Sequence, residues 1–452
     1  MKAEIVEIKV AFSANEGAEV GIVGWVKSSR DSGKICFIEV NDGSSLKNLQ
    51  VVCKESETKG FDDRLRKVRT GSAFFAQGIL KKSRKIGNNE LVASEVKILK
   101  EASEDYPLQK KEHTFEFLRE IAHLRPRTTT ISAIMRVRSV LAYAIHKFFQ
   151  DNGFIWVAAP IITANDAEGA GEAFNIATVG EKSFFNKNAS LTVSGQLNAE
   201  AYALAFKKVY TFGPTFRAEK SHTNRHISEF WMVEPEISFI DLSQLQLVIE
   251  SFVKYITKYV SDHCQDEIEF FAETKPHIIS RIKEIIDRPF KRVDYSEGIE
   301  LLKTAVVNGH KFEDNNIFFG KDLASEHERY LCEKIFKQPI FLQNYPKEIK
   351  AFYMKVNPDQ RTVAANDLLV PGVGEIIGGS QREDNYEKLL KRCEELKMDV
   401  KSIQWYLDLR KYGYYSSAGF GLGFERFIMY ILDLDNIREA IPFPRVEGSL
   451  DF

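Results

Sequence analysis

Apolar and polar residues alternate in short runs along the N-terminal region: GIVGWV, KICFIEV and LQVVC, broken by DSG and NDGSS, then GSAFFAQGIL and ELVASEVKIL. Alternation at period two predicts strands with one buried face, and the Gly/Asp/Asn/Ser breaks predict turns. Five such runs within residues 1–100 predict a small closed β-barrel. Phe37 lies in the second run, shortly after Arg30 and Lys34. An outward aromatic beside cations is a stacking platform for single-stranded bases, whereas an inward one is core, and alternation alone leaves both open.

Between Glu101 and Pro126 the pattern lapses into charged, proline-punctuated sequence (EDYPLQKKEHTFEF, HLRPRT), which predicts a linker over 101–126. TTTIS then offers a helix cap, and Ile134, Leu141, Ile145 and Phe148 recur at helical spacing up to Gly153. FIWVAAPIIT predicts a buried strand whose Pro160 belongs at an edge or interface. KKVYTFGPTFRAE and EFWMVEPEISF both alternate, so they predict antiparallel strands joined by a charged loop. Arg217 and Glu219 would then share one face, as would Phe230, Met232, Glu234 and Glu236. A solvated hairpin with weak ion pairs gives the same pattern. Residues 241–345 predict a mainly helical insertion, followed by β-rich FYMKV, TVAANDLLV and EIIGGSQ, an amphipathic helix at YEKLLKRCEEL, and a closing GFGLGFERFIMYIL.

Composition narrows the classes. The 62 basic and 64 acidic residues nearly cancel, but residues 1–100 hold 18 basic against 13 acidic, a net of +5 on a chain of −2. A modestly basic first module suits a polyanionic partner, and ordinary charge scatter would serve as well. Five scattered cysteines without a CxxC pair predict no disulfide frame and no structural zinc, and no apolar run spans a bilayer. The expectation is a soluble, cytoplasmic, reduced protein.

Two further stretches carry chemistry. In NDLLVPGVGEIIGGSQRE the Pro371-Gly372 turn would set Asp367 and Glu375 on paired strands, where two carboxylates can hold Mg2+ against nucleotide phosphates. Gly378, Gly379 and Ser380 are small enough for close approach, and Arg382 offers a bidentate fork. In GFGLGFER alternating glycines clear one face of a strand, and Arg426 begins a helix from which it can clamp a phosphate. Neither a GxxxxGK[ST] loop nor a GxGxxG opening after a parallel strand is present.

Taken in order, FRAE…RHISEF, GEIIGGSQRE and GFGLGFER resemble the class II aminoacyl-tRNA synthetases of the aspartyl/asparaginyl/lysyl subgroup. TVSGQLNAEAY, AEGAGEAF, AGFGLGFERF and the terminal IPFPR extend the likeness over almost the whole chain. The resemblance implies an α+β protein: an OB-fold anticodon-binding barrel over 1–100, a linker over 101–126, and a class II catalytic domain on an antiparallel sheet over 127–452. It implies activation of an amino acid with ATP and Mg2+ to an aminoacyl-adenylate, then transfer to the 3′ end of tRNA.

By the same resemblance Arg217 touches the α-phosphate and the substrate carboxylate, Phe230 and Arg426 sandwich adenine, and Glu219 reads its amino group. Arg225 and His226 meet the outer phosphates, and Asp367 and Glu375 are the Mg2+ ligands. Glu168, Ser194 and Gln196 hold the α-amino group, and Arg382 donates to the side-chain oxygen. The aspartyl pattern has a lysine at Ala199 and an aspartate at Glu234. Without that lysine, and with Glu234 repelling a carboxylate, L-asparagine and tRNA(Asn) are the expected substrates. Arg30, Phe37 and Gln50 match anticodon contacts, and Pro160 matches an interface proline, implying a homodimer. Ser416 and Ser417 stand where the family usually carries Pro-His. Rival readings are an aspartyl enzyme of relaxed tRNA specificity, a related ATP-dependent asparagine synthetase, and a silent tRNA-binding protein.

Overall fold

The computed structural model describes residues 3–83, 88–165, 173–177, 184–220 and 223–452, in two units, Met1–Ala133 and Ile134–Phe452. In the first, every alternating run becomes a strand: β1 (Glu19–Asp31), β2 (Ile35–Asn41), β3 (Leu49–Lys54), β4 (Ala73–Lys82) and β5 (Asn89–Lys100). They close into a barrel in the order β1-β2-β3-β5-β4, with β3 and β5 the parallel pair. Ile22, Val26, Ile38, Val40, Val51, Phe74 and Leu91 fill it. Along β2 the alternation is strict, with Cys36, Ile38 and Val40 buried and Ile35, Phe37 and Glu39 half-buried outside. Phe37 therefore faces outward.

The second unit carries β6 (Ile155–Trp156), β7 (Ile162–Thr163), β8 (Asn175–Ile176), β9 (Ala189–Leu191), β10 (Lys208–Phe216), β11 (Glu229–Ser238), β12 (Lys291–Asp294), β13 (Ile340–Gln343), β14 (Ala365–Val370), β15 (Gly374–Gln381) and β16 (Ser417–Gly423). Eight of them form one sheet in the order β12-β13-β14-β15-β16-β11-β10-β6; β7-β9-β8 is a small separate one. All neighbours from β13 to β10 run antiparallel. The helix Thr129–Asp151 ends before Gly153, whose φ of 77° is the left-handed conformation that stops helices, and Thr128 Oγ1 accepts from Ile131 N (3.4 Å) at its start. The Leu242–His263 helix opens with a capping box between Asp241 and Gln244. It covers the sheet, with Phe252 5.7 Å from Phe420 of β16.

Two sequence expectations change. FIWVAAPIIT is not a buried strand: it gives only two-residue β6 and β7, and Ile155, Trp156, Ile161 and Ile162 are exposed. FYMKV forms only isolated bridges, Met354 with Arg382 and Val356 with Val363. Residues 241–345 are mainly helical but also supply β12, β13 and the helix packed on the sheet. Polar surface positions masked the apolar stripes that bind these elements to the core. No helix among the described residues is long and apolar enough to cross a membrane.

Candidate active site

The β10–β11 hairpin closes with Phe216 opposite Glu229, and Arg217 N donates to Ser228 O (2.9 Å), carrying the pairing into the charged loop. That loop folds over the sheet. Arg217 Cζ lies 5.5 Å from the Phe230 ring centroid, and His226 Nε2 is 3.8 Å from a Glu219 oxygen and 3.3 Å from Arg426 Nη2. Arg426 enters on the third residue of the Phe424–Leu432 helix after β16. A cavity of about 400 Å³ results, lined by Arg217, Glu219, Arg225, His226, Phe230 and Arg426 at one end. Ser194, Gln196, Glu234 and Arg382 line the other, with Asp367 and Glu375 between. The solvated-hairpin alternative falls away.

One end is short of negative charge. Burial, then Arg426, pushes the His226 imidazole below its usual pKa, and the same two causes, in the same order, lower Arg225. Arg225 Nη1 is buried with no hydrogen-bond partner among the described residues. The middle crowds carboxylates together under burial. Asp367, opposite Gly378 on the β14–β15 pair, is pushed up to about 6 by burial, helped by Glu375, although Lys350 Nζ donates to its Oδ2 (2.6 Å). Glu328 is pushed up to about 7 by burial, Glu375 and Asp367, and accepts from Glu375 N (3.2 Å). Sequence reasoning missed Glu328 and Lys350. Neither lies in a motif, and only the sheet brings them to the acid pair.

The far end is tightly bonded. Arg382 Nε donates to Glu236 Oε2 (3.1 Å), Nη2 donates to Oε1, and Nη1 donates to Ser380 Oγ (2.6 Å). That engages three of five guanidinium N–H groups. Glu234 accepts from Ser194 Oγ, Gly195 N (2.9 Å) and Thr211 Oγ1 (2.9 Å), so three protein donors occupy a carboxylate with about four acceptor sites. Ala199 is fully buried in an apolar cluster with Val157, Ala203 and Val209. The alternating glycines do clear a face, but for protein side chains. A Cβ at Gly419 would stand 2.2 Å from Glu236 Oε1, and one at Gly421 2.5 Å from Met232 Cε.

Glu168 lies outside the described residues. Pro160 is exposed, away from the cavity lining. On the barrel, Arg30 pairs in register with Phe37 and holds its guanidinium carbon 4.8 Å from that ring, and Gln50 Nε2 donates to Glu90 (2.9 Å). Ser416 Oγ donates to Ile240 O (2.7 Å) and accepts from Gln381 Nε2 (2.8 Å), while Ser417 Oγ meets Tyr414 OH. Both serines therefore serve as local connectors.

Residues 115–447 match the family of tRNA synthetases class II (D, K and N), and residues 20–99 match the OB-fold nucleic acid binding domain. The asparagine–tRNA ligase of Malacoplasma penetrans is 54% identical over 99% of this chain and 100% of its own length. That of Ureaplasma urealyticum is 53% identical over 98% and 97%. Among solved structures, asparaginyl-tRNA synthetase from Pyrococcus horikoshii complexed with asparaginyl-adenylate superposes with a TM-score of 0.89 at 36% identity, covering 98% of this chain and 99% of that one. Barrel, antiparallel sheet, shared cavity and full-length likeness agree: the chain belongs to the class II tRNA synthetases of the D, K and N group.

Proposed function

We propose that this chain is an asparagine–tRNA ligase, which forms asparaginyl-adenylate from L-asparagine and ATP and then charges tRNA(Asn). The observation that carries this reading is one cavity divided into a cationic end, a carboxylate pair, and an Arg382/Glu234 end. The identities with asparagine–tRNA ligases and the fold match to the asparaginyl-adenylate complex support the choice of amino acid.

In the first step a carboxylate oxygen of asparagine attacks the α-phosphorus. A new P–O bond forms, the bond to the β-phosphate oxygen breaks, and its electron pair leaves with pyrophosphate. No protein nucleophile or base is required, so positioning and charge supply the acceleration. Arg217 sits where the α-phosphate and the attacking carboxylate meet, stabilising charge that builds there. Phe230 and Arg426 take the two faces of adenine, with Glu219 at its amino group, and Arg225 and His226 take the outer phosphates. The unpartnered Arg225 Nη1 suits such a ligand.

Asp367 and Glu375 would hold Mg2+, which neutralises phosphate charge when bound. The fit rests on Asp367, whose carboxyl is pushed up to about 6 by burial and by the neighbouring Glu375 carboxylate. Their all-oxygen donor set suits a hard cation that keeps other ligands from phosphate and water. In the second step a ribose hydroxyl at the tRNA 3′ end attacks the adenylate carbonyl and AMP leaves. Ser194, Gln196 and Glu168 take the α-ammonium. The free N–H groups of Arg382 donate to the amide oxygen, and the remaining acceptor site of Glu234 takes the amide NH2. An aspartate carboxylate there would face buried Glu234, with only Arg382, already paired to Glu236, to offset it.

Arg30, Phe37 and Gln50 form the anticodon face of a module spanning 1–100, with 101–126 as linker and 127–452 as catalytic domain. Exposed Trp156, Ile161 and Ile162 flanking Pro160 suit a homodimer contact. Five unpaired buried cysteines suit a reducing cytoplasm. ATP–pyrophosphate exchange tests the reading. Asparagine should support it at least ~100-fold better than aspartate or lysine, as expected when the wrong substrate leaves a buried charge unpaired. Preference for aspartate would overturn the assignment.

A further inference from the structure

Glu200 lies one turn after Gln196 on the Gln196–Phe206 helix, is 1% exposed, and has no part in the chemistry above. Its carboxylate gathers donors from distant parts of the chain. Oε1 accepts from Gln196 Nε2 and from Tyr406 OH (2.6 Å); Oε2 accepts from Arg410 Nη2 (2.9 Å) and Tyr414 OH (3.0 Å). Arg410 is itself held between two rings, its Cζ 4.1 Å from Tyr406 and 4.2 Å from Tyr414, and donates Nε to Glu383 O (2.9 Å). Arg382 Nε stands 3.8 Å from Glu200 Oε1. Two cations offset the charge, and four donors use the carboxylate's acceptor capacity.

An ionised carboxylate only accepts. Chemistry therefore fixes the orientation of the Gln196 amide: NH2 must face Glu200, and the carbonyl oxygen must point away. That oxygen is buried, has no hydrogen-bond partner among the described residues, and belongs to a side chain that lines the cavity beside Ser194. A buried acceptor without a donor is costly, and a ligand that brings a donor relieves the cost. Free asparagine carries one cationic group, its α-ammonium, which only donates.

We propose that Glu200 is a positioning residue for the α-ammonium of the amino-acid substrate, acting through Gln196. It locks the amide with its oxygen towards the cavity and polarises that oxygen through the bond to Nε2. Tyr406, Arg410 and Tyr414 hold Glu200 in place, so residues from the chain's C-terminal part set the orientation of an amide on an early helix. The inference rests on the proposed function and names how that site reads its substrate. Glutamine at 200 could present either an acceptor or a donor to Gln196, and the lock would be lost.

The test uses pyrophosphate exchange by the full-length protein with asparagine, together with two inhibitors. Asparaginol keeps the ammonium and lacks the carboxylate; succinamate keeps the carboxylate and lacks the ammonium. Glu200→Gln should raise the KM for asparagine and the inhibition constant of asparaginol by about tenfold or more, the size expected for losing a hydrogen bond to a charged group. The succinamate constant, the KM for ATP and kcat should each stay within about threefold. A purely structural role would weaken all three amino-acid-site ligands alike, and that outcome overturns the proposal. Should Glu200→Gln melt below the assay temperature, Glu200→Asp keeps the network's charge while withdrawing it from Gln196. It must show the same asparaginol-against-succinamate split, or the proposal fails. Absence of asparagine exchange in the unmodified protein would instead sink the functional reading, and this inference with it.

Discussion

His226 illustrates how a single side chain in this site is tuned by its surroundings. Burial and then Arg426 disfavour its protonated form, and Arg225 and Arg217 add to the repulsion. Its folded pKa therefore lies below the unfolded 6.5. The neutral form contributes stability that is present above 6.5 and lost as pH falls through the folded value. In the free protein its NMR titration midpoint should fall below 6.5. The drop in melting temperature on acidification through that window should be smaller in His226→Asn, where nothing titrates. An equal drop in both proteins would show that other groups carry the acid sensitivity. A neutral imidazole also leaves Nε2 as an acceptor for Arg426, which keeps that guanidinium in the cavity before any nucleotide arrives.

At the scale of the element, β16 shows where glycine is required. Its residues alternate between the sheet's two faces, and Gly419 opposes Glu236 on β11. Any Cβ at 419 would overlap the carboxylate that holds Arg382. Gly419→Ala should destabilise the protein by ~1–3 kcal/mol, the usual cost of overpacking, measurable by urea denaturation. It should also raise the KM for asparagine much more than that for ATP, because the displaced carboxylate holds Arg382 at the amino-acid end. Unchanged asparagine affinity would mean that Arg382 is not held by Glu236. β2 was legible in the sequence because period-two alternation is local and one of its faces is buried, whereas β10 and β11 are buried on both faces over much of their length and were legible from sequence alternation alone. Arg217, Phe230, Asp367, Glu375 and Arg426 were legible as one site because short motifs carry them. Glu200 was not, because its partners Tyr406, Arg410 and Tyr414 are more than 200 residues away. Nor were Glu328 and Lys350, whose relation to Asp367 exists only after β13, β14 and the Ser325–Tyr330 helix have packed. FIWVAAPIIT misled because apolar residues there are exposed in the single chain, and hydrophobicity alone does not say what covers a surface.

The whole molecule divides its labour between units with separate cores, the barrel interior around Ile38 and Phe74 and the sheet-and-helix core of the second unit. Amino-acid activation draws on the second, because among the described residues every one lining the cavity comes from positions 194–437. Recognition of a tRNA gains from the first, where Phe37 stands outside the barrel with the Arg30 guanidinium 4.8 Å from its ring. Stacking of one base on an aromatic is worth ~1–3 kcal/mol by alanine substitution, enough to change tRNA affinity about 5- to 150-fold. Because Phe37 is outside the core, its truncation leaves no internal cavity and costs little stability. Phe37→Ala should therefore raise the KM for tRNA in aminoacylation by at least about fivefold, with asparagine-dependent pyrophosphate exchange unchanged. Arg30→Ala should lower tRNA affinity as well, and more steeply at low salt, since its contribution includes salt-screened attraction to phosphate. Parallel losses of charging and exchange, with a lowered melting temperature, would show that Phe37 supports the barrel rather than a base. Loss confined to charging would separate the two reactions along the boundary between the units.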